Sequence, residues 1–175
     1  MEAGPWQSWR SYDYTTRLRR AGQYRGTDGC PYISRAVSTV NAYGENLWAH
    51  LDRTSALTPD QRRELLRFFL SSTCEAQNVT NIEIGHYGIS TMPRDWVAAN
   101  IETEAEPILH AADSDWEWRR LMELYEELDH GLLRRLAIRA ARHEAPWVRE
   151  AGEDFVAWLE KHTEPLPPCA AGGEV

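Results

Sequence analysis

The chain of 175 residues contains 42% hydrophobic and 26% charged residues, which suits one globular domain and excludes a wholly disordered chain. The net charge of −8 argues against nucleic acid as a partner, because non-specific binding to phosphates needs an excess of basic residues. No apolar run resembles a membrane span or a signal peptide, so the sequence predicts a cytoplasmic protein without a membrane partner.

Residues 1–33 form the first predicted segment, an arm rich in arginine and aromatic residues and without helical periodicity. Residues 1–40 carry six arginines against three acidic residues, a balance of +3 that leaves −11 for the remainder. We therefore expect a basic arm in front of an acidic body. The sequence leaves open whether the arm is ordered.

The first two predicted helices follow the arm. From Ser34 onward, one helix face is indicated by residues that recur every three or four positions: Val37, Val40, Gly44, Leu47 and Leu51. The second helix begins at Thr58, where a capping box between Thr58 and Gln61 is combined with a proline in the first turn. Its predicted core residues are Leu65, Leu66, Phe69 and Leu70.

Residues 74–92 fit both a helix and a strand, because four positions share one helix face while two positions alternate as in a strand. The helix set is Val79, Ile82, His86 and Ile89, and the strand set is Ile82 and Ile84. We predict a helix, although Gly85 and Gly88 each weaken a helix interior by roughly 1 kcal/mol relative to alanine. A further helix is predicted to begin at Pro93 and to end at Pro107.

Three more helices are predicted in the C-terminal part. A capping box from Ser114 to Glu117 opens the first, whose inner stripe is Trp118, Leu121, Met122, Tyr125 and Leu128. Asp129 is the predicted cap of the second, which carries Leu132, Leu133, Leu136 and Ala140. The third begins with a proline in its first turn and turns Val148, Ala151, Phe155 and Leu159 inward. Residues 163–175, rich in proline and glycine, form a predicted disordered tail.

These elements predict an all-α fold over residues 34–162, built from antiparallel helical hairpins. About residues 130–160, the chain resembles a HEAT-like α-helical repeat, in which a second helix carries Val-Arg followed by small residues. Val148, Arg149, Ala151 and Gly152 carry the resemblance, with Glu144 near the acidic position of the family. The resemblance implies a stacked helical array in which the small residues allow close helix packing. The alternative is an irregular helical bundle.

Two Glu-x-x-His spacings, Glu83/His86 and Glu127/His130, are the candidate metal ligands. On a helix, this spacing places a carboxylate and an imidazole on one face, as in ferritin-like bundles that hold two metal ions. The number of such pairs is close to what chance gives in a chain rich in glutamate. We therefore predict no metal and no cofactor. Three cysteines without a CxxC pair indicate neither a disulfide framework nor a zinc cluster.

The acidic body favours a non-enzymatic helical scaffold that binds a protein partner. Neutralisation or adaptation of a basic partner, as by an immunity or antitoxin-like protein, is the form that the charge suggests. A single lysine beside 18 arginines indicates GC-rich coding and a bacterial source. The alternative is a small metal- or thiol-dependent enzyme built on Glu83, His86, Glu127, His130 or Cys74. No catalytic residue is assigned, and the binding residues are left open.

Overall fold

The computed structural model describes Leu18, residues 30–75 and residues 77–162. All regular secondary structure within these residues is helical, which confirms the predicted all-α fold. The described elements are α1 (Pro31–Asn41), a 3-10 segment (Leu47–Ala56), α2 (Pro59–Thr73), α3 (Val79–Thr91), α4 (Arg94–Ala111), α5 (Trp116–Leu128), α6 (His130–Ala140) and α7 (Pro146–His162). The predicted arm lies outside the described residues except for Leu18 and residues 30–33, and the predicted tail lies outside them entirely.

The first predicted helix is wrong beyond Asn41, because α1 ends there and Gly44 lies in a turn. Asn46 adopts a left-handed conformation with φ 57°, which interrupts the helical path before Leu47. Leu47 and Leu51 are nevertheless buried, in the 3-10 segment. The spacing thus identified Val40, Leu47 and Leu51 correctly as core residues but joined two elements into one.

The first helix begins earlier than predicted from the pattern at Ser34. Helix α1 starts at Pro31, because proline suits the first turn of a helix, and Ile33 is fully buried. Leu18 belongs to the same core, and its carbonyl oxygen accepts a hydrogen bond of 2.8 Å from the indole N–H of Trp48. The Trp48 ring lies 5.3 Å from the ring of Tyr87 on α3.

Helices α2 and α3 pack closely together. The predicted capping box is present, because the Thr58 hydroxyl accepts from the Gln61 amide at 3.3 Å and the Gln61 side chain accepts from the Thr58 amide at 3.1 Å. The stretch that fitted both helix and strand is helix α3, as predicted. Gly85 and Gly88 lie where α3 contacts Phe69 of α2, so these glycines allow the two helices to approach.

The predicted end of the fourth helix at Pro107 is wrong, because α4 continues to Ala111. A proline within a helix leaves the carbonyl of the residue four positions earlier without its N–H partner. That residue, Thr103, is exposed together with Pro107, so water can satisfy the carbonyl. Leu109 is buried beyond the proline and keeps the last turn packed on the core.

Two pairs of charged residues connect α4 to α6. Glu102 accepts hydrogen bonds of 2.9 and 3.0 Å from Arg135, and Glu106 accepts a pair from Arg139 one turn further along both helices. Two-pronged contacts of this kind orient the partners more strictly than single ion pairs. They fix the position of α4 beside the C-terminal hairpin.

Helices α5, α6 and α7 follow one another in space as they do in the chain, and α6 and α7 form a tightly packed hairpin. The predicted inner stripe of α5 is buried, and so are the predicted core residues of α6 and α7. The predicted capping box at Ser114 is not formed as expected: the Ser114 hydroxyl accepts from the Trp116 amide at 3.3 Å and donates to the Glu117 carboxylate at 2.9 Å. Gly152 contacts the backbone of α6, where only a small residue fits.

Asp129 separates α5 from α6 and caps α6, as predicted. Its carboxylate accepts hydrogen bonds from the backbone N–H groups of Leu132 at 3.0 Å and Gly131 at 2.7 Å. These bonds hold the pKa of Asp129 below its usual value.

We expect Asp129→Ala to lower the free energy of unfolding by about 1 kcal/mol near neutral pH, because two N–H groups of α6 lose their acceptor. The folded-state pKa is depressed, so the stabilisation is complete above the unfolded pKa of about 3.9 and is lost as the pH falls through the folded value. Urea denaturation near neutral pH and near pH 3 measures this difference. Asp129→Asn keeps an acceptor that does not titrate, and an equal deficit of the alanine variant at both pH values would contradict the prediction.

Candidate functional site

The two predicted Glu-x-x-His pairs meet in the interior through one contact between α3 and α5. His86 is fully buried, and its Nδ1 lies 3.1 Å from Oε1 of Glu127. Glu83 lies one turn before His86 on the same side of α3 and is buried as well. The structure therefore brings His86 and Glu127 into contact, with Glu83 buried one turn away on α3.

The fourth candidate, His130, lies apart from this contact. It is the first residue of α6 and is exposed, and its ring stands edge-on to the Trp158 ring at 5.8 Å. Within residues 30–75 and 77–162, no three histidine, cysteine or acidic side chains are grouped so that they could hold a metal ion.

Arg120 and Glu123, which the sequence analysis did not single out, form a second polar pair on α5. Arg120 donates to the Glu123 carboxylate at 2.6 Å, and Glu123 is 5% exposed. The four-residue spacing from Glu123 to Glu127 places both carboxylates on one side of α5. This spacing is the feature of the sequence from which Glu123 could have been picked out. Glu123 is buried, and Arg120 supplies the partner that a buried charge needs.

Cys74, the candidate thiol, lies at the end of α2. Burial raises the pKa of its thiol to about 12, and the nearby charge of Glu117 acts in the same direction. Its Sγ lies 4.0 Å from the carbonyl oxygen of Glu117. Since the thiolate is the reactive form, this environment does not favour nucleophilic chemistry at Cys74.

The outer face of α7 is the second candidate site, and it is exposed where the first is buried. The same helical spacing that turns Val148 and Phe155 inward turns a set of polar residues outward. This face consists of Trp147, Glu150, Glu153, Asp154, Glu160 and Lys161, all exposed. Trp147, at the start of the helix, is 50% exposed.

Most of the acidic charge on the outer face of α7 is uncompensated. Asp154 accepts from Arg119 of α5 at 3.0 Å. Among the described residues, no cation lies within ion-pair distance of Glu150, Glu153 or Glu160. An exposed tryptophan and three unpaired carboxylates thus share one face of α7.

Comparison with known proteins identifies no relative: the chain matches no family model, no curated protein and no solved structure. None of the described helices is long and apolar enough to cross a membrane. The function therefore has to be argued from the two candidate sites themselves.

Proposed function

We propose that the protein is a helical protein-binding scaffold that binds a basic protein partner through the outer face of α7. The observation that carries this proposal is the row of unpaired carboxylates at Glu150, Glu153 and Glu160 on the helix face that begins with the half-exposed Trp147. Neutralisation of a basic partner, as by an immunity or antitoxin-like protein, is the form of binding that this charge supports.

The position of the carboxylates suits binding better than folding. They lie on the solvent side of α7, where they contribute little to the stability of the chain itself. Their summed field attracts a basic partner before contact, which raises the association rate at low ionic strength. Trp147 adds a large apolar surface that loses little conformational entropy when it is covered.

The buried contact between His86 and Glu127 supports a structural role rather than an enzymatic one. A general acid or base must lie within hydrogen-bond reach of its substrate. His86 is fully buried between helices. The arrangement consequently gives no support to the enzyme alternative.

We expect the triple change Glu150→Gln, Glu153→Gln and Glu160→Gln to weaken binding of a captured basic protein by at least about tenfold at low salt. The reason is that the change removes three negative charges from the contact surface and leaves its shape unaltered. The measurement starts with a pull-down on immobilised protein. The captured partner is then identified, purified and titrated by calorimetry against the wild-type and variant chains.

The matched control removes three exposed carboxylates elsewhere: Glu45→Gln, Asp52→Asn and Asp95→Asn. This control should bind like the wild type, and added salt should weaken the wild type towards the triple variant. The proposal fails if both triple variants lose affinity equally, or if the partner binds the α7 variant with wild-type affinity.

A further inference from the structure

A cleft of about 220 Å³ lies between α1, the end of α2 and the first two turns of α3. Its inner wall is apolar and consists of Ala36, Phe68 and Ile84. Its rim carries Tyr32, Arg35 and Glu75, of which Tyr32 is 48% exposed. The cleft is distinct from the outer face of α7 and from the contact between His86 and Glu127.

Arg35 and Glu75 carry opposite charges on the rim of this cleft but do not form an ion pair with each other. The Glu75 carboxylate accepts a hydrogen bond from the side-chain amide of Asn81, which fixes its orientation. Arg35 forms no hydrogen bond and no ion pair with any other residue that the structure describes. A cation and an anion that line one cleft without forming a pair are placed to bind a ligand that carries both charges.

The size and the inner wall of the cleft restrict the ligand further. Its volume is below the roughly 300–1,000 Å³ of sites for drug-sized molecules and suits a small ligand. Phe68, which is half-buried, offers apolar surface to the part of the ligand that points inward. A small molecule with adjacent opposite charges and an apolar group fits these three requirements together.

We infer that this cleft binds a free α-amino acid with an apolar side chain. Its ammonium group would contact Glu75, its carboxylate would contact Arg35, and its side chain would cover the exposed part of Phe68. Tyr32 adds a half-exposed ring beside the ligand. This inference does not depend on the proposed binding function of α7, because it concerns different residues and a different ligand.

The test is calorimetric titration of the full chain with five free amino acids: leucine, isoleucine, valine, methionine and phenylalanine. We expect at least one to bind with a dissociation constant of about 1 mM or lower. Two analogues of leucine separate its charges: 3-methylbutylamine lacks the carboxylate, and N-acetyl-leucine lacks the ammonium group. For the amino acid that binds best, the corresponding analogues should bind at least about tenfold more weakly, since each loses one charged hydrogen bond.

Two variants locate the binding. Arg35→Gln should reduce the affinity for the amino acid by at least about tenfold. The variant should then bind the amino acid no more tightly than the amine analogue, which lacks the carboxylate. Glu75→Gln should reduce the affinity for the amino acid to a similar extent. This variant should bind the amino acid no more tightly than the N-acetyl analogue, which lacks the ammonium group. Arg53→Gln and Glu45→Gln are matched exposed controls outside the cleft and should bind like the wild type. Circular dichroism checks that all variants are folded.

The inference is overturned if none of the five amino acids binds the wild-type chain at about 10 mM. It is also overturned if the folded cleft variants bind as tightly as the wild type, since the ligand would then lie elsewhere. Equal affinity for the amino acid and both analogues would mean that the charges on the rim do not contact the ligand.

Discussion

Replacement of Gly85 by alanine should destabilise the protein by about 3 kcal/mol, even though alanine is the better helix former. A Cβ atom at this position would lie 2.5 Å from the carbonyl oxygen of Phe69 and 2.5 Å from the amide nitrogen of Thr73. Both are backbone atoms of α2. They cannot move aside unless the helices separate. Urea denaturation followed by circular dichroism measures the loss.

Gly44→Ala provides the control for this substitution. A Cβ atom at residue 44 would meet only the Cβ of Leu47, at 3.8 Å, which is an ordinary contact. We expect its free energy of unfolding to stay within about 1 kcal/mol of the wild type. If Gly85→Ala is as stable as Gly44→Ala, the close approach of α2 and α3 described above is incorrect.

Replacement of Leu121 by alanine should lower the free energy of unfolding by about 2 to 5 kcal/mol. Leu121 is fully buried on the inner stripe of α5, where it lies in the same core as Leu133 and Phe155 of the C-terminal hairpin. Removing three carbon atoms from such a position costs their transfer free energy and leaves a cavity. The denaturant midpoint should therefore fall while the slope of the transition stays unchanged.

Ile138→Ala is the matched control, because it removes a comparable apolar side chain from the solvent side of α6, where Ile138 is 38% exposed. Ile138→Ala should lower the free energy of unfolding clearly less than Leu121→Ala does. A wild-type midpoint for Leu121→Ala would place the stripe of α5 outside the core.

The sequence predicted most of the helices because their signals are local. A capping box at Thr58, an N-cap at Asp129 and a proline at the start of α7 each act within one or two turns. The neighbours of Pro107 in the sequence did not show whether the helix would end there or continue. The outcome depends on whether that side of α4 faces water. The break after Asn41 was missed because buried residues kept a helical spacing across it.

The candidate sites also differ in how far local sequence patterns could predict them. The outward residues of α7 follow from helical spacing within one element, so the face was implicit in the sequence. The contact between His86 and Glu127 joins residues 41 positions apart, and no local pattern reports such a pair. The cleft depends on three segments that meet only in the folded chain. Its opposing charges, Arg35 and Glu75, carried no signal in the sequence.

The burial of Leu18 shows that the core includes chain before the first described helix. Leu18 lies twelve residues before Cys30, yet it occupies the core and satisfies the indole N–H of Trp48. A shortened chain that starts at Cys30 would contain every helix from α1 to α7. It would still lack the Leu18 side chain, which belongs to the core. It would leave a leucine-sized void and a buried donor without an acceptor, and both are costly. Any truncation intended to isolate the helical body should therefore retain Leu18.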